Sequence, residues 1–289
     1  MPADGALGAR GPLSPGGERL AALAGARDPF ARAQRLMGEM LGWAPDDDVI
    51  RRTTHAAARR AAAGRPGRRD AGRFAADPGV VELEVDAGKV PTTGGWRDVK
   101  VAAFARREPG VPTPAADCPG ATTAADATVL GDGAGWIWDL AEAILPRAEG
   151  VLDVFHAVEH IGDATKAVWT DAAATPRREA GVAALLAGGK PGVDRRIAGL
   201  FAELPEGCDG EPLRALSAYL ASHPSRLGDA DRPSRGRSIG GGMVEGAIKQ
   251  LFNRRMKRAG ARRRAEHVGP LVELIALVDQ PEWHHLWAA

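Results

Sequence analysis

Val129-Leu130-Gly131-Asp132-Gly133-Ala134-Gly135-Trp136-Ile137-Trp138 decides how this chain is read. The apolar run Ala127–Leu130 has the length of a buried strand. A glycine-relaxed turn around an acid follows, and an aromatic-rich run from Trp136 to about Leu145 then takes up helical spacing. Strand, acid, turn and helix in that order place a carboxylate at a strand's carboxyl end, where open α/β sheets keep their functional groups. Glycine beside the acid lets backbone or substrate come close. The plainer role for such an aspartate is to cap the next helix.

The pattern extends both ways. Downstream, Gly150–Phe155 reads as a strand carrying Asp153, followed by a helix from His156 to Trp169. Upstream, Val81-Glu82-Leu83-Glu84-Val85-Asp86 alternates with the strand period of two. The turn Thr92-Thr93-Gly94-Gly95 leads to a second run, Trp96–Ala105, which is the signature of a hairpin. Three strands, a helix, a strand and a helix predict crossovers in a partly parallel sheet. Asp86, Asp132 and Asp153 then fall at or near strand ends, and neighbouring strands are about 4.8 Å apart. A third landmark acid, Glu245, opens the basic helical stretch Met243-Val244-Glu245-Gly246-Ala247-Ile248-Lys249-Gln250. Two strand-end aspartates and a distant glutamate suit a pair of hard divalent cations engaged in phosphoryl transfer.

Organisation along the chain follows from composition. Residues 1–28 are expected to be a disordered leader. Residues 29–64 should form two helices, Pro29–Trp43 and one starting at Pro45-Asp46-Asp47-Asp48, either a helix-turn-helix or a plain helical hairpin. Residues 65–79 read as a basic linker, 80–170 as the first part of the α/β domain, and 171–237 as a helical insertion. That insertion is broken at Gly188-Gly189-Lys190-Pro191 and at Pro205-Glu206-Gly207. Residues 238–289 return to helices and carry the third acid.

Net charge is +1 over 289 residues, so charge excess alone does not argue for nucleic acid. Its distribution does. Arginines cluster over residues 51–73. A second run holds Lys249, Arg254, Arg255, Lys257, Arg258 and Arg262 to Arg264. Clustered cations mark a polyanion partner or a solvated helix face. Cys118 and Cys208 are far apart and lack a metal-binding spacing, which fits a reducing cytoplasm. No apolar run approaches the roughly 20 residues of a membrane span. His156-Ala157-Val158-Glu159-His160 matches the inverted zinc-peptidase motif H-x-x-E-H, with both imidazoles on one helix face.

Several blocks taken together resemble an insertion-sequence transposase family, the ISKra group. They are Leu130-Gly131-Asp132-Gly133-Ala134-Gly135-Trp136-Ile137-Trp138, Asp153-Val154-Phe155-His156-Ala157-Val158-Glu159-His160, Arg235-Gly236-Arg237-Ser238-Ile239-Gly240-Gly241-Gly242-Met243-Val244-Glu245 and Arg255-Met256-Lys257-Arg258-Ala259-Gly260. They occur in the family's order and span roughly residues 80–287. The resemblance implies a DDE transposase with an α/β fold: a ribonuclease H-like mixed sheet with flanking helices and a helical insertion. It implies metal-dependent DNA cleavage and strand transfer, with Asp86, Asp132 and Glu245 as catalytic metal ligands for two Mg²⁺ (or Mn²⁺) ions. Lys249, Arg254, Arg255, Lys257 and Arg258 would contact DNA, and the protein would act as a homo-oligomer on element ends and target. Two other functions fit parts of the chain: a zinc metallopeptidase using H-x-x-E-H, and a DNA-binding protein without catalysis.

The sequence departs from the family twice. Only Arg107–Asp126, rich in Pro, Gly and Ala, fills the interval where ribonuclease H-like sheets place a third strand and a helix. Ala261-Arg262-Arg263-Arg264 stands where an aromatic residue is expected. Both departures suggest an internally deleted copy.

Overall fold

The computed structural model describes residues 12–64, 79–107, 127–228, 230–258, 262–280 and 282–288. Most of the expected basic linker, the Pro-rich interval 108–126, Cys118 and Ala259-Gly260-Ala261 lie outside them. The fold is mixed α/β: a four-stranded mixed sheet with flanking helices. The chain divides into two compact units. One takes the described residues within Met1–Ala71, Ala87–Val101 and Glu245–Ala289; the other takes those within Gly72–Asp86 and Ala102–Val244.

The first unit begins with α1 (Pro15–Arg27), α2 (Phe30–Leu41) and α3 (Asp47–Ala63). α1 corrects the expected disordered leader of 1–28 over residues 15–27; residues 1–11 of that leader lie outside the described ones. Ser14 caps it by accepting the Gly17 N–H at 3.3 Å. Its buried face is Ala21, Ala22, Gly25 and Ala26, small residues that a hydrophobicity pattern underrates. They let α1 approach α3 closely: a Cβ on Gly25 would lie 2.1 Å from Thr54 Oγ1. Asp46 caps α3 through the Asp48 N–H at 2.9 Å. α3 packs against α1, α2 and a C-terminal helix, α9 (Val268–Leu277). Leu13, Ala21, Ala33, Met37 and Ile50 form a core there. The two expected helices therefore sit within a helical bundle.

The second unit is built on the sheet. Strands β1 (Val80–Thr92) and β2 (Gly95–Arg107) form the expected hairpin, longer than its alternating sequence suggested, with its tip in the first unit. At the turn, Thr92 Oγ1 donates to the Gly95 carbonyl at 2.6 Å. Strands β3 (Thr128–Gly131) and β4 (Glu149–Leu152) follow, separated by α4 (Gly135–Ile144). Sheet order is β2-β1-β3-β4, with β1, β3 and β4 parallel. Leu83, Val85, Val129 and Ile137 form the core between β1, β3 and α4.

Helices α5 (Val154–Val168), α6 (Asp171–Ala202) and α7 (Glu211–Ala221) hold the unit's larger core, including Ile161, Leu185, Leu200 and Leu213. The break expected near Gly188–Pro191 is a kink at Gly189, with φ 54° and ψ −148°. The break expected near Pro205 is the loop between α6 and α7. α8 (Gly242–Ala247) passes into a π-helical turn, Ile248–Asn253, and a short helical turn, Arg254–Met256; a last short helix, α10 (Glu282–His285), buries Trp283. No described helix is long and apolar enough to cross a membrane.

Candidate active site

Strand register brings two of the expected acids to neighbouring positions. The last paired residues of the parallel strands are Val85, Gly131 and Leu152, in one row across β1, β3 and β4. The residues that follow them are Asp86, Asp132 and Asp153. Asp86 and Asp132 are partly exposed, whereas Asp153 is buried.

The three carboxylates have different surroundings. Asp132 Oδ1 accepts the Ala134 N–H at 2.8 Å, a local turn that holds the carboxylate at the strand end. Its carbonyl accepts the Tyr219 hydroxyl at 2.9 Å. The glycine after it has φ 97°, a left-handed conformation, and a Cβ there would lie 2.7 Å from His223 Nε2. Larger residues are thereby kept from the acid's flank. Asp153 acts as a fastener: Oδ1 caps α5 through the Phe155 N–H at 2.8 Å, and Oδ2 accepts the Gly241 N–H at 2.6 Å.

Asp153 belongs to a larger buried network that the sequence did not reveal. Glu82 and Glu84 alternate with core residues Leu83 and Val85, the pattern of a half-solvated strand, yet both are buried. Glu82 accepts the Ser238 hydroxyl at 2.9 Å, and Glu84 accepts the Val244 N–H at 2.8 Å. Buried Arg232 donates to the Ser238 carbonyl at 2.8 Å and to Thr128 Oγ1 at 3.1 Å, and pairs with Glu149. Buried carboxylates are tolerated where donors are aimed at them. Here the donors come from the 238–244 segment, which is thus pinned to the sheet. Desolvation, and then repulsion from Glu82 and Asp153, push the Glu84 carboxyl above its ordinary range against the bond from Val244. An alternating pattern cannot distinguish solvent from a docked polar segment.

A ring cluster lies beside Asp132. Tyr219 stacks on His160 with centroids 3.8 Å apart and meets His223 edge-on at 5.5 Å. Burial, aided by the charges of Asp132, Asp153 and Glu159, pushes the Tyr219 phenol up to about 12, so it remains a hydrogen-bond donor. In the H-x-x-E-H motif, His156 Nδ1 lies 3.7 Å from Glu159 Oε2, while His160 faces Tyr219.

Glu245 falls in the first unit, where it accepts from Lys249 Nζ at 2.9 Å. Among the described residues no three His, Cys, Asp or Glu side chains gather as a metal-holding group. β1 runs on past Asp86 to Thr92, so Asp86 lies within the strand and not at its expected end; with Asp132, just past β3, it still supplies a hard oxygen donor on a neighbouring strand, the ligand chemistry Mg²⁺ requires.

The expected DNA-contacting cations divide. Lys257 is exposed, as are Lys249 and Arg254. Arg254 and Arg258 lie 4.0 and 3.5 Å from the buried carboxylate of Asp28. Arg255 is buried, contrary to the expected surface role. It donates to the Gly25 carbonyl at 2.8 Å and lies over the Phe30 ring at 4.7 Å. In a helical run of basic residues, one position faces inward and is enclosed by the bundle.

No protein-family model matches the chain, and no curated protein matches it significantly.

Proposed function

We propose that the chain is a DDE-type transposase acting on DNA through a ribonuclease H-like domain. The observation that supports this reading is the β1–β3 register, which pairs Val85 with Gly131, so that Asp86 within β1 and Asp132 just past β3 are the next residues on neighbouring parallel strands. The sheet order supports it: a hairpin edge, then two parallel strands with a helix between them. The blocks resembling ISKra transposases supply the reaction class, and Glu245 is the third ligand on that reading.

Asp86 and Asp132 would hold Mg²⁺ or Mn²⁺, with Glu245 completing the set. The ions, when bound, would lower the charge barrier for in-line attack on a phosphodiester by water and then by a 3′-hydroxyl. The chain's own contribution is orientation. The Asp132–Ala134 bond and the Tyr219 hydroxyl fix the acid's backbone and side chain, while Asp153, Glu82 and Glu84 fix the segment entering the Glu245 helix. Lys249, Arg254, Lys257 and Arg258 would contribute salt-sensitive phosphate contacts.

The test is cleavage of DNA bearing the element's ends, with Mg²⁺. Asp132→Ala and Asp86→Ala should each reduce cutting by roughly 10³-fold while leaving DNA affinity within a few-fold. Binding without cutting by the unaltered chain would instead favour a non-catalytic DNA-binding protein. One tightly held zinc, lost in His160→Ala, would favour the peptidase.

A further inference from the structure

We infer that a cationic pocket in the first unit is a binding site for a phosphorylated nucleotide, either free or as the 5′ end of a DNA strand. The pocket has a volume of 420 Å³ and is bounded by α3, α9, the start of α2 and residues 255–267. That volume suits a small organic ligand.

Its charge is one-sided. Arg51, Arg255, Arg262, Arg263 and Arg264 line it, and among the described lining residues none is acidic. Three of these arginines have carboxylate neighbours: Arg51 at 3.0 Å from Asp48, Arg264 at 3.8 Å from Glu266, and Arg255, which feels the charge of Asp28. Arg255 and Arg263 spend donors on main-chain carbonyls, of Gly25 for one and of Met256 and Arg255 for the other. Asp28, the buried acid beside the pocket's Pro29, is shared among Arg32, Arg254 and Arg258. Arg255 is buried and Arg263 partly so, while Arg51, Arg262 and Arg264 are exposed at the rim; like charges gathered this way repel one another unless an anion joins them. A guanidinium has five donors in a fork that matches phosphate oxygens, so the carbonyl bonds leave donors available for an anion.

Beside the guanidinium groups, the pocket has flat rings. Arg255 lies over Phe30, Phe30 meets His55 edge-on at 5.7 Å, and His55 lies against His267 with centroids 4.2 Å apart. Desolvation, and then His267, Arg51, Arg255 and Arg59, hold the His55 imidazole down to about 4, so it stays neutral at physiological pH. A neutral ring stacks on a base without repelling the cations around it. Guanidinium groups beside stacked rings recognise the two halves of a nucleotide, a phosphate and a base. The tip of the β1–β2 hairpin braces this wall: Thr93 N–H donates to the Arg263 carbonyl at 2.8 Å.

The inference does not rest on the transposase reading, because it uses neither Asp86, Asp132 nor a metal. The experiment is calorimetric titration of the full chain with dAMP, deoxyadenosine, inorganic phosphate, and a short single strand with and without a 5′-phosphate. Saturable one-to-one binding of dAMP is expected, at least about tenfold tighter than deoxyadenosine or inorganic phosphate. Arg262→Ala with Arg264→Ala should weaken it by at least about tenfold. Arg255→Ala risks the bundle, so the Arg262/Arg264 pair carries the test, with the circular dichroism spectrum confirming the fold. Binding of the 5′-phosphorylated strand alone would assign the site to strand ends; binding of dAMP alone would assign it to free nucleotide. No saturable binding of either, equal binding of the strand lacking its 5′-phosphate, or full binding by the folded double variant would overturn it.

Discussion

The two units answer their buried charge in different ways. In the second unit the buried charges are mainly carboxylates, Glu82, Glu84 and Asp153, each answered by hydroxyl or N–H donors from the docked 238–244 segment or, for one oxygen of Asp153, from Phe155 in its own helix. In the first unit they are Asp28, ringed by Arg32, Arg254 and Arg258, and Arg255, which joins less buried guanidinium groups around an open pocket and is answered in part by a main-chain carbonyl. A network closed by the protein's own donors fastens a segment. A set of donors left facing a cavity selects a ligand. Buried charge alone therefore does not mark function; what matters is whether the protein supplies the partner.

The comparison breaks most easily at Arg232, the one buried cation of the carboxylate network. Arg232→Ala removes its bonds to Ser238 and Thr128 and its ion pair with Glu149. A loss of about 3 kcal/mol in urea unfolding is expected, much of it from a carbonyl and a hydroxyl left buried without a partner. A cost near zero would mean the segment is not held by this network. Gly241→Ala tests the same fastening from the backbone side. Its Cβ would lie 2.6 Å from Asp153 Oδ2, so the segment must lift from the sheet. About 2 kcal/mol should be lost. Gly246→Ala, within α8 and with nothing within 4 Å of its Cβ, is the matched control and should raise stability by about 0.5–1 kcal/mol rather than lower it.

How much of this was legible follows from which signals are local. The hairpin, β3, α4, β4 and α5 follow from alternation, helical periodicity and glycine turns within short windows; β3, α4 and α5 formed near their expected bounds, while β1 runs on to Thr92 and β4 stops at Leu152. That Asp132 closes a strand was legible, because it follows an apolar run directly; that β1 runs on past Asp86 to Thr92 was not, because its alternating run ends there. α1 was missed because its buried face is alanine and glycine, whose packing depends on Thr54 and Ile50, distant in sequence. Glu82 and Glu84 were not recognised as buried because their donors lie over 150 residues away, at Ser238 and Val244. The inward turn of Arg255 depends likewise on Gly25 and Phe30.

The sharpest form of the comparison is a difference in pH response. In the first unit, His55 has its affinity for protons lowered from 6.5 to about 4, so the unfolded chain binds the proton more readily. Its contribution to stability is complete above pH 6.5 and is lost as pH falls towards 4. Allowing for solvent reaching the ring, about 1 kcal/mol is at stake. His55→Phe, which keeps a ring against Phe30 and His267, should flatten that part of the thermal melting profile. An imidazole titrating near 6.5 by NMR would remove the basis for it.

Glu84 should show the smaller effect, with the opposite slope. Its carboxyl is raised above 4.5, first by desolvation, so between that value and the raised one the folded chain holds the extra proton. Acid therefore favours the fold at this position: the contribution is greatest below 4.5 and is lost as pH rises through the raised value. Glu84→Gln keeps an oxygen for the Val244 N–H but cannot ionise, so its melting temperature should exceed that of the unaltered chain at neutral pH and converge with it in acid. A variant less stable at neutral pH would mean that the charged form, not the neutral one, holds the 238–244 segment.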